Sequence, residues 1–129
     1  MKHELLTSPS IARAPSRAAS GIVLGEGRIV LVSGQVAWDA NGEVVGVGDV
    51  ERQTRQAFKN LRDVLALGGA TLSDVVKYNF YLTDLGSRQS VLAVRREVLG
   101  ETQPPSTTVI VSSLVEPELL IEIDAIVVM

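Results

Sequence analysis

Two acids spaced two residues apart, Glu122 and Asp124, stand inside the apolar run Ile121-Glu122-Ile123-Asp124-Ala125-Ile126-Val127-Val128. Such a run reads as a β-strand, and because strand side chains alternate, both acids fall on one face. A carboxylate in apolar surroundings is costly to desolvate unless it is paired, hydrogen-bonded or left neutral, so acids placed this way often serve function. The chemistry open to them is proton transfer and the handling of water. Ahead of them Pro105-Ser106-Thr107-Thr108 opens a second strand rich in hydroxyls, and a Glu116-Pro117 turn joins the two.

The residues that are missing narrow the chemistry further. The chain has no cysteine, hence no thiolate nucleophile, disulfide, iron–sulfur site or thiol-held zinc. The one histidine is His3, near the start, so a Ser-His-Asp triad and a multi-histidine metal site are both disfavoured. No metal and no organic cofactor are expected. Carboxylate, hydroxyl, lysine, tyrosine and backbone groups remain. A formal net charge of −3 argues against a nucleic-acid surface, which needs a clustered basic footprint. No run of eighteen apolar residues exists to span a membrane, and the first twenty residues lack an apolar signal core, so a cytoplasmic protein is expected.

These candidates must be positioned by a chain of 129 residues, one domain by length. Apolar residues make up 46% with one Trp, two Tyr and two Phe, so Val, Leu, Ile and Ala must build the core. Residues 1–17 read as an extended arm. Ile22-Val23-Leu24 and Ile29-Val30-Leu31-Val32 flank Gly25-Glu26-Gly27, a hairpin signal, and Asn41-Gly42 marks a tight reversal after Gln35-Val36-Ala37-Trp38. Asp49 caps a helix whose stripe is Val50, Thr54, Ala57, Phe58, Leu61, Val64 and Leu65, ended by Gly68-Gly69. Val75–Leu82 is rich in β-branched and aromatic residues and reads as a strand. A second helix from about Ser87 to Leu99 presents Val91, Val94, Val98 and Leu99, and leaves Arg88, Arg95 and Arg96 to a solvated face. The order predicts an α+β fold, a mixed sheet with both helices on one face. The other face would then be bare: Tyr81 lies on one face of its strand, Val109 and Val111 on one face of theirs, and Ile123, Ala125 and Val127 on one face of the last, so a second apolar face needs a partner and self-association is the cheapest way to cover it.

Several blocks in this order resemble the Rid (reactive intermediate deaminase) family, also called YjgF or L-PSP endoribonuclease-like. They are Ser33-Gly34-Gln35, Asn41-Gly42-Glu43-Val44, Gln53-Thr54-Arg55-Gln56 with Asn60-Leu61, Asp74-Val75-Val76-Lys77, Phe80-Tyr81-Leu82-Thr83-Asp84-Leu85, and the C-terminal run. The resemblance covers roughly residues 20–129. It implies a six-stranded mixed sheet with two helices on one face, the chorismate mutase-like Rid fold. It also implies a homotrimer closed around a central β-barrel, with a small-molecule cleft at each subunit interface. Family enzymes hydrolyse reactive enamino and imino acids such as 2-aminoacrylate to 2-keto acids and ammonia. An arginine in a Pro-Ala-Arg-Ser run forks onto the substrate carboxylate, and a glutamate handles water.

Glu122 stands where that glutamate stands and is the expected catalytic acid; for Asp124 a hydrogen-bonded strand residue is the stronger reading. The arginine position holds Thr107, which supplies neither charge nor fork. The first-strand aromatic falls near Ala18 and a second-helix asparagine near Leu92, so three substrate-facing roles are altered together. Thr107 and Thr108 either donate hydroxyls to a ligand or serve as ordinary strand formers. Ser33 and Gly34 either line the cleft or permit a bend. Tyr81, like Trp38, either stacks on a ligand or packs. Arg17 is the candidate replacement cation, against the reading of a mobile surface arginine. Two functions follow: a hydrolase of small enamines, imines or related carbonyl derivatives, or a non-catalytic trimer that binds a small ligand or a partner.

Overall fold

The computed structural model of the chain describes residues 3–12 and 18–129. The order is β1 (Glu4–Leu6), β2 (Gly21–Val23), β3 (Ile29–Val36), α1 (Val50–Leu67), β4 (Val75–Leu82), α2 (Arg88–Leu99), β5 (Ser106–Ile110) and β6 (Ile121–Val128). Four strands make a mixed sheet in the spatial order β3-β6-β4-β5. β6 runs antiparallel to both its neighbours, and β5 runs parallel to β4 across the α2 crossover.

The six-stranded sheet expected from the sequence is therefore divided. Among the described residues β1 and β2 pair only with each other, in a separate two-stranded ribbon. The hairpin read at Gly25-Glu26-Gly27 does not form, and within the arm read as extended over residues 1–17, Glu4–Leu6 is a strand paired with β2. The reason lies in the backbone bonds ahead of β2. The Ala19 amide donates to the Gln103 carbonyl at 3.1 Å, just before β5, and the Ser20 amide donates to Leu6 at 3.0 Å. The chain is thereby tied at the β5 edge, opposite the β3 edge.

Both helices cover one face of the four-stranded sheet. α1 starts where the Asp49 side chain accepts the Arg52 amide, and Gly69 takes the positive φ (78°) needed just beyond its end. α2 stops at Gly100, with φ 76°. The core joins Ala57, Phe58, Leu61 and Leu65 of α1 and Val91 and Val94 of α2 to Tyr78, Phe80 and Leu82 of β4 and Ile121, Ile123, Ala125 and Val127 of β6. Phe58 meets Tyr78 and Phe80 edge-on, with ring centroids 6.2 and 6.1 Å apart. Each fully buried side chain of this size contributes about 1.5–3 kcal/mol. That burial fixes the alternation of β4 and β6, and so decides which residues look the other way.

Gln53, Thr54, Arg95 and Gln103 are buried polar residues, and two of them tie elements together. Gln53 is fully buried: its amide donates to the carbonyls of Gly46 (3.1 Å) and Glu118 (2.8 Å), and its oxygen accepts the Leu120 amide at 2.8 Å. It pins α1 to the loop that feeds β6. Gln53→Met conserves volume but orphans three backbone groups, each costing about 1–3 kcal/mol when buried. A loss of about 3 kcal/mol or more is expected in urea unfolding, with the slope unchanged.

Arg95 corrects the reading of α2 as solvated along its arginines. Arg88 and Arg96 are exposed, but Arg95 is only 2% exposed. Its guanidinium lies 4.1 Å from the centre of the Phe80 ring, and Nη2 donates to Gln103 Oε1 (3.0 Å) and Ser106 Oγ (2.9 Å). Burial lowers its pKa to about 10, which leaves it cationic at neutral pH. It joins α2 to the start of β5.

Candidate functional site

The face of the sheet turned away from the helices carries the polar residues. Along β6, Ile121, Ile123, Ala125 and Val127 are buried in the core under the helices, so Ile123, Ala125 and Val127 are not part of a bare face as the sequence suggested, and Glu122, Asp124 and Ile126 project from the opposite side. On β4, Tyr78, Phe80 and Leu82 point inward, and Lys77, Asn79 and Tyr81 share the face of the two acids. Asn79 lies opposite Asp124 and Tyr81 opposite Glu122 in the antiparallel register. On β5, Thr107 and Val109 are level with Asn79 and Tyr81.

Asp124 is fully engaged. Its Oδ1 accepts Asn79 Nδ2 and its Oδ2 accepts the Tyr81 hydroxyl, both at 2.8 Å. That bond to Asp124 raises the Tyr81 pKa, so the phenol keeps its proton. The hydrogen-bonded reading of Asp124 describes the structure, and Tyr81 serves as a donor on this face.

Glu122 differs. Its side chain is half-buried, and no hydrogen-bond donor meets its carboxyl among the described residues. Burial raises its pKa, and the negative charge of Asp124 raises it further. A protonatable group without a fixed partner, poised above the ordinary glutamate value, is suited to taking a proton from water.

The neighbouring bulge explains where this carboxyl rests. β3 and β6 lose register between Val32 and Gln35, and Gly34 lies in that irregularity. Its φ is not in the positive region, so conformational freedom does not call for glycine here. Space does: a Cβ at Gly34 would stand 2.6 Å from Glu122 Cδ and closer still to Oε2. The glutamate head lies across the glycine backbone. Ser33 is exposed beside it.

The structure thus gathers Glu122, Gly34, Tyr81 and Thr107 on one side of the sheet, with Ser33 next to them. Thr108 is not among them: it pairs with Phe80 and shares the alternate face of β5, towards the helices. Arg17 lies outside the described residues. Ala18 and Leu92 are both buried. Lys77 was not singled out in the sequence; its Nζ donates to Thr107 Oγ1 at 2.8 Å. The signal for Lys77 and Asn79 was present in the polar–apolar alternation of Lys77-Tyr78-Asn79-Phe80-Tyr81-Leu82, but their partners depend on strand register.

The sequence profile of the family described as Endoribonuclease L-PSP matches residues 12–129. A RutC family protein of Pyrococcus abyssi is 39% identical over 101 residues, 78% of this chain and 78% of its own length. The 3-aminoacrylate deaminase RutC of Acinetobacter baylyi is 36% identical over 98 residues, covering 76% of this chain and 77% of that protein. Among solved structures, the Rid-family protein YyfB from Yersinia pestis, of unknown function, superposes with a TM-score of 0.90 at 31% identity over the whole of both chains. RidA from a Psychrobacter species gives 0.74 at 28% identity, over 91% of this chain and 98% of its own.

Proposed function

We propose, on the premise that this chain belongs to the Endoribonuclease L-PSP (Rid/YjgF) family, that it hydrolyses a small enamine or imine to the carbonyl compound and ammonia. The observation that carries this reading is the Glu122 carboxyl, half-buried, displaced upward in pKa and without a hydrogen-bond partner among the described residues. The likeness to a 3-aminoacrylate deaminase supports the substrate class.

The chemistry asks little of the protein. An enamine first takes a proton from solvent at its β-carbon and becomes the iminium cation, the protonated form of the imine. Ionised Glu122 then removes a proton from water as the oxygen bonds to the C=N carbon, giving a carbinolamine. The proton held by Glu122 passes to nitrogen, the C–N bond breaks, and the hydroxyl proton of the carbinolamine returns to Glu122 and then to solvent as ammonia leaves with the carbonyl formed. No metal or organic cofactor takes part in this scheme. Burial, and after it the charge of Asp124 held beside the acid by Tyr81 and Asn79, raise the Glu122 pKa and make it a better base.

The working unit in this reading is a cytoplasmic homotrimer, each copy contributing residues 1–129 as one domain, with the open sheet faces closed around a central barrel and a cleft at each interface. Support comes from the apolar residues left bare on one side of the sheet, Leu31 at 76% and Ile29 at 66% exposure, with Val109 and Ile126 also exposed. Among the described residues no helix is long and apolar enough to cross a membrane. Wild-type protein should sediment at about three times the 13.8 kDa chain mass. Leu31→Asp places a charge in the shared interior and should sediment as a monomer, with its turnover lost.

The second reading, a binding protein without turnover, is favoured by Thr107 at the position where the family resemblance calls for arginine. Ammonia release decides between them. With 3-aminoacrylate, 2-aminoacrylate and 2-iminobutanoate generated in situ, wild type should exceed buffer on at least one. If none is turned over while such compounds or their keto products shift the melting temperature, the protein is a binder.

A further inference from the structure

We propose that the β1–β2 ribbon is an exchanged element, which in the assembly pairs with the bare β3 edge of a partner copy of the chain. Such an exchange supplies a contact for the proposed homotrimer, and it holds for a hydrolase and for a binder alike.

Two strand edges of the chain are left over. β3 pairs only with β6, so along Ile29–Val32 alternate N–H and C=O groups point away from the sheet, with no strand to receive them among the described residues. The same stretch exposes Ile29 and Leu31. The second leftover is the ribbon itself, three residue pairs with no third strand, from which Leu5, Leu6, Val23 and Leu24 stand exposed. A two-stranded ribbon is at best marginal in water and needs a further strand or an apolar surface. The bonds it makes lie away from β3. The Ala19 amide donates to Gln103 on the β5 side, and the Gly25 amide donates to His3 Nδ1 at 3.0 Å, which turns the chain after β2 back towards β1.

The local sequence says which edge suits the ribbon. Gly25-Glu26-Gly27 between two apolar runs calls for β2 to lie antiparallel beside a β3 strand. Within one chain that pairing is unmade. Exchange of the identical element between copies satisfies the same preference without altering a residue. Residues 24–28 are then the hinge, and stretched they reach roughly 20 Å, about four strand spacings, enough to pass to an adjacent copy. The open placement recurs in the YyfB crystal structure. Its TM-score of 0.90 over the whole of both chains is out of reach if the part of YyfB matching residues before Ile29, about a fifth of this chain, lay elsewhere. Each copy gives one ribbon and receives one, so the exchange can close into a ring with no β3 edge left open. β3 also carries Gly34, over which Glu122 rests, so one copy's ribbon borders the strand that shapes its partner's site.

The chain has no cysteine, so introduced thiols report without background. A hinge over residues 24–28 sets Val23 opposite a partner's Ile29. The full-length double variant Val23→Cys/Ile29→Cys, treated with a short bis-maleimide after assembly, should run on a denaturing gel as covalent dimers and trimers of the 13.8 kDa chain. Each single variant should run as the monomer. A link closed within one chain, seen as a monomer carrying one linker and no free thiol, overturns the proposal, and so does the absence of any link. A trimer by sedimentation whose links stay within each chain keeps the proposed assembly and removes the exchange. Hydrogen exchange on wild type covers the case in which the cysteine variant does not fold. The outward amides of Ile29–Val32 should exchange at least about tenfold more slowly in the oligomer than after dilution to the monomer. Equal protection in both states, or protection in neither, overturns the proposal.

Discussion

Glu122→Gln should abolish ammonia release while leaving the fold at least as stable as wild type at neutral pH. The substitution keeps the shape of the side chain and removes its capacity to accept a proton. Positioned acid–base groups contribute about 10²- to 10⁴-fold to rate, and a loss in that range is expected in kcat/KM. Stability should move the other way. Burial and the charge of Asp124 raise the Glu122 pKa in the folded chain, so ionising it costs the folded state more than the unfolded one. Its favourable contribution is present below the unfolded value and is lost as pH rises through the folded value. Above that window wild type carries an ionised group that the fold disfavours, and glutamine does not. The melting temperature of the variant should therefore equal or exceed that of wild type near pH 7.5, and the difference should shrink or reverse near pH 4. Wild-type turnover should fall as acid titrates Glu122, over a range above that of an ordinary glutamate. A variant with undiminished turnover would remove Glu122 from the reaction.

Gly34→Ala is expected to produce nearly the same catalytic defect by a different route. The added methyl would overlap the end of the Glu122 side chain, which must rotate away from its place over the β3 bulge. Because the displaced atoms belong to the end of a flexible side chain, the cost in stability should be small, at most the roughly 1–3 kcal/mol of an overpacked site. The cost in rate should be large, about 10²-fold, because the carboxyl no longer sits where water is attacked. A double-mutant cycle identifies the cause. If Gly34 acts only by seating Glu122, Gly34→Ala in a Glu122→Gln background should lower the residual rate no further. Additive losses would mean that Gly34 serves the site in some other way, such as lining it.

The Gly34 result also bears on what could be read from the chain. Gly34 stood out as part of Ser33-Gly34-Gln35, with a bend or a cleft lining as its expected uses. Neither names the contact that matters, because the partner is 88 residues later and reaches it only across the β3–β6 pairing. Arg95 was misread for a related reason. Its helix position marks it as polar surface, yet Phe80 of β4 and the Gln103–Ser106 stretch leading into β5 enclose it from two separate segments. Gln53 was passed over because helical periodicity sorts residues by hydrophobicity, and a buried amide that satisfies three backbone groups looks like surface in such a sort.

The amino-acid order alone settled the two helices and their caps, the strands at Val75–Leu82 and at Ile121–Val128, and the placing of both acids on one face of the last strand. Each of these follows from local periods of two or 3.6 residues and from glycine or aspartate at an end, which need no distant partner. The tertiary structure decided how the strands are shared between a four-stranded sheet and a two-stranded ribbon. It also decided that Asp124 is engaged while Glu122 is not, and that Lys77 reaches Thr107. Those outcomes depend on register and on which backbone groups find each other across the sheet, and pairing of that kind is a property of residues far apart in the chain.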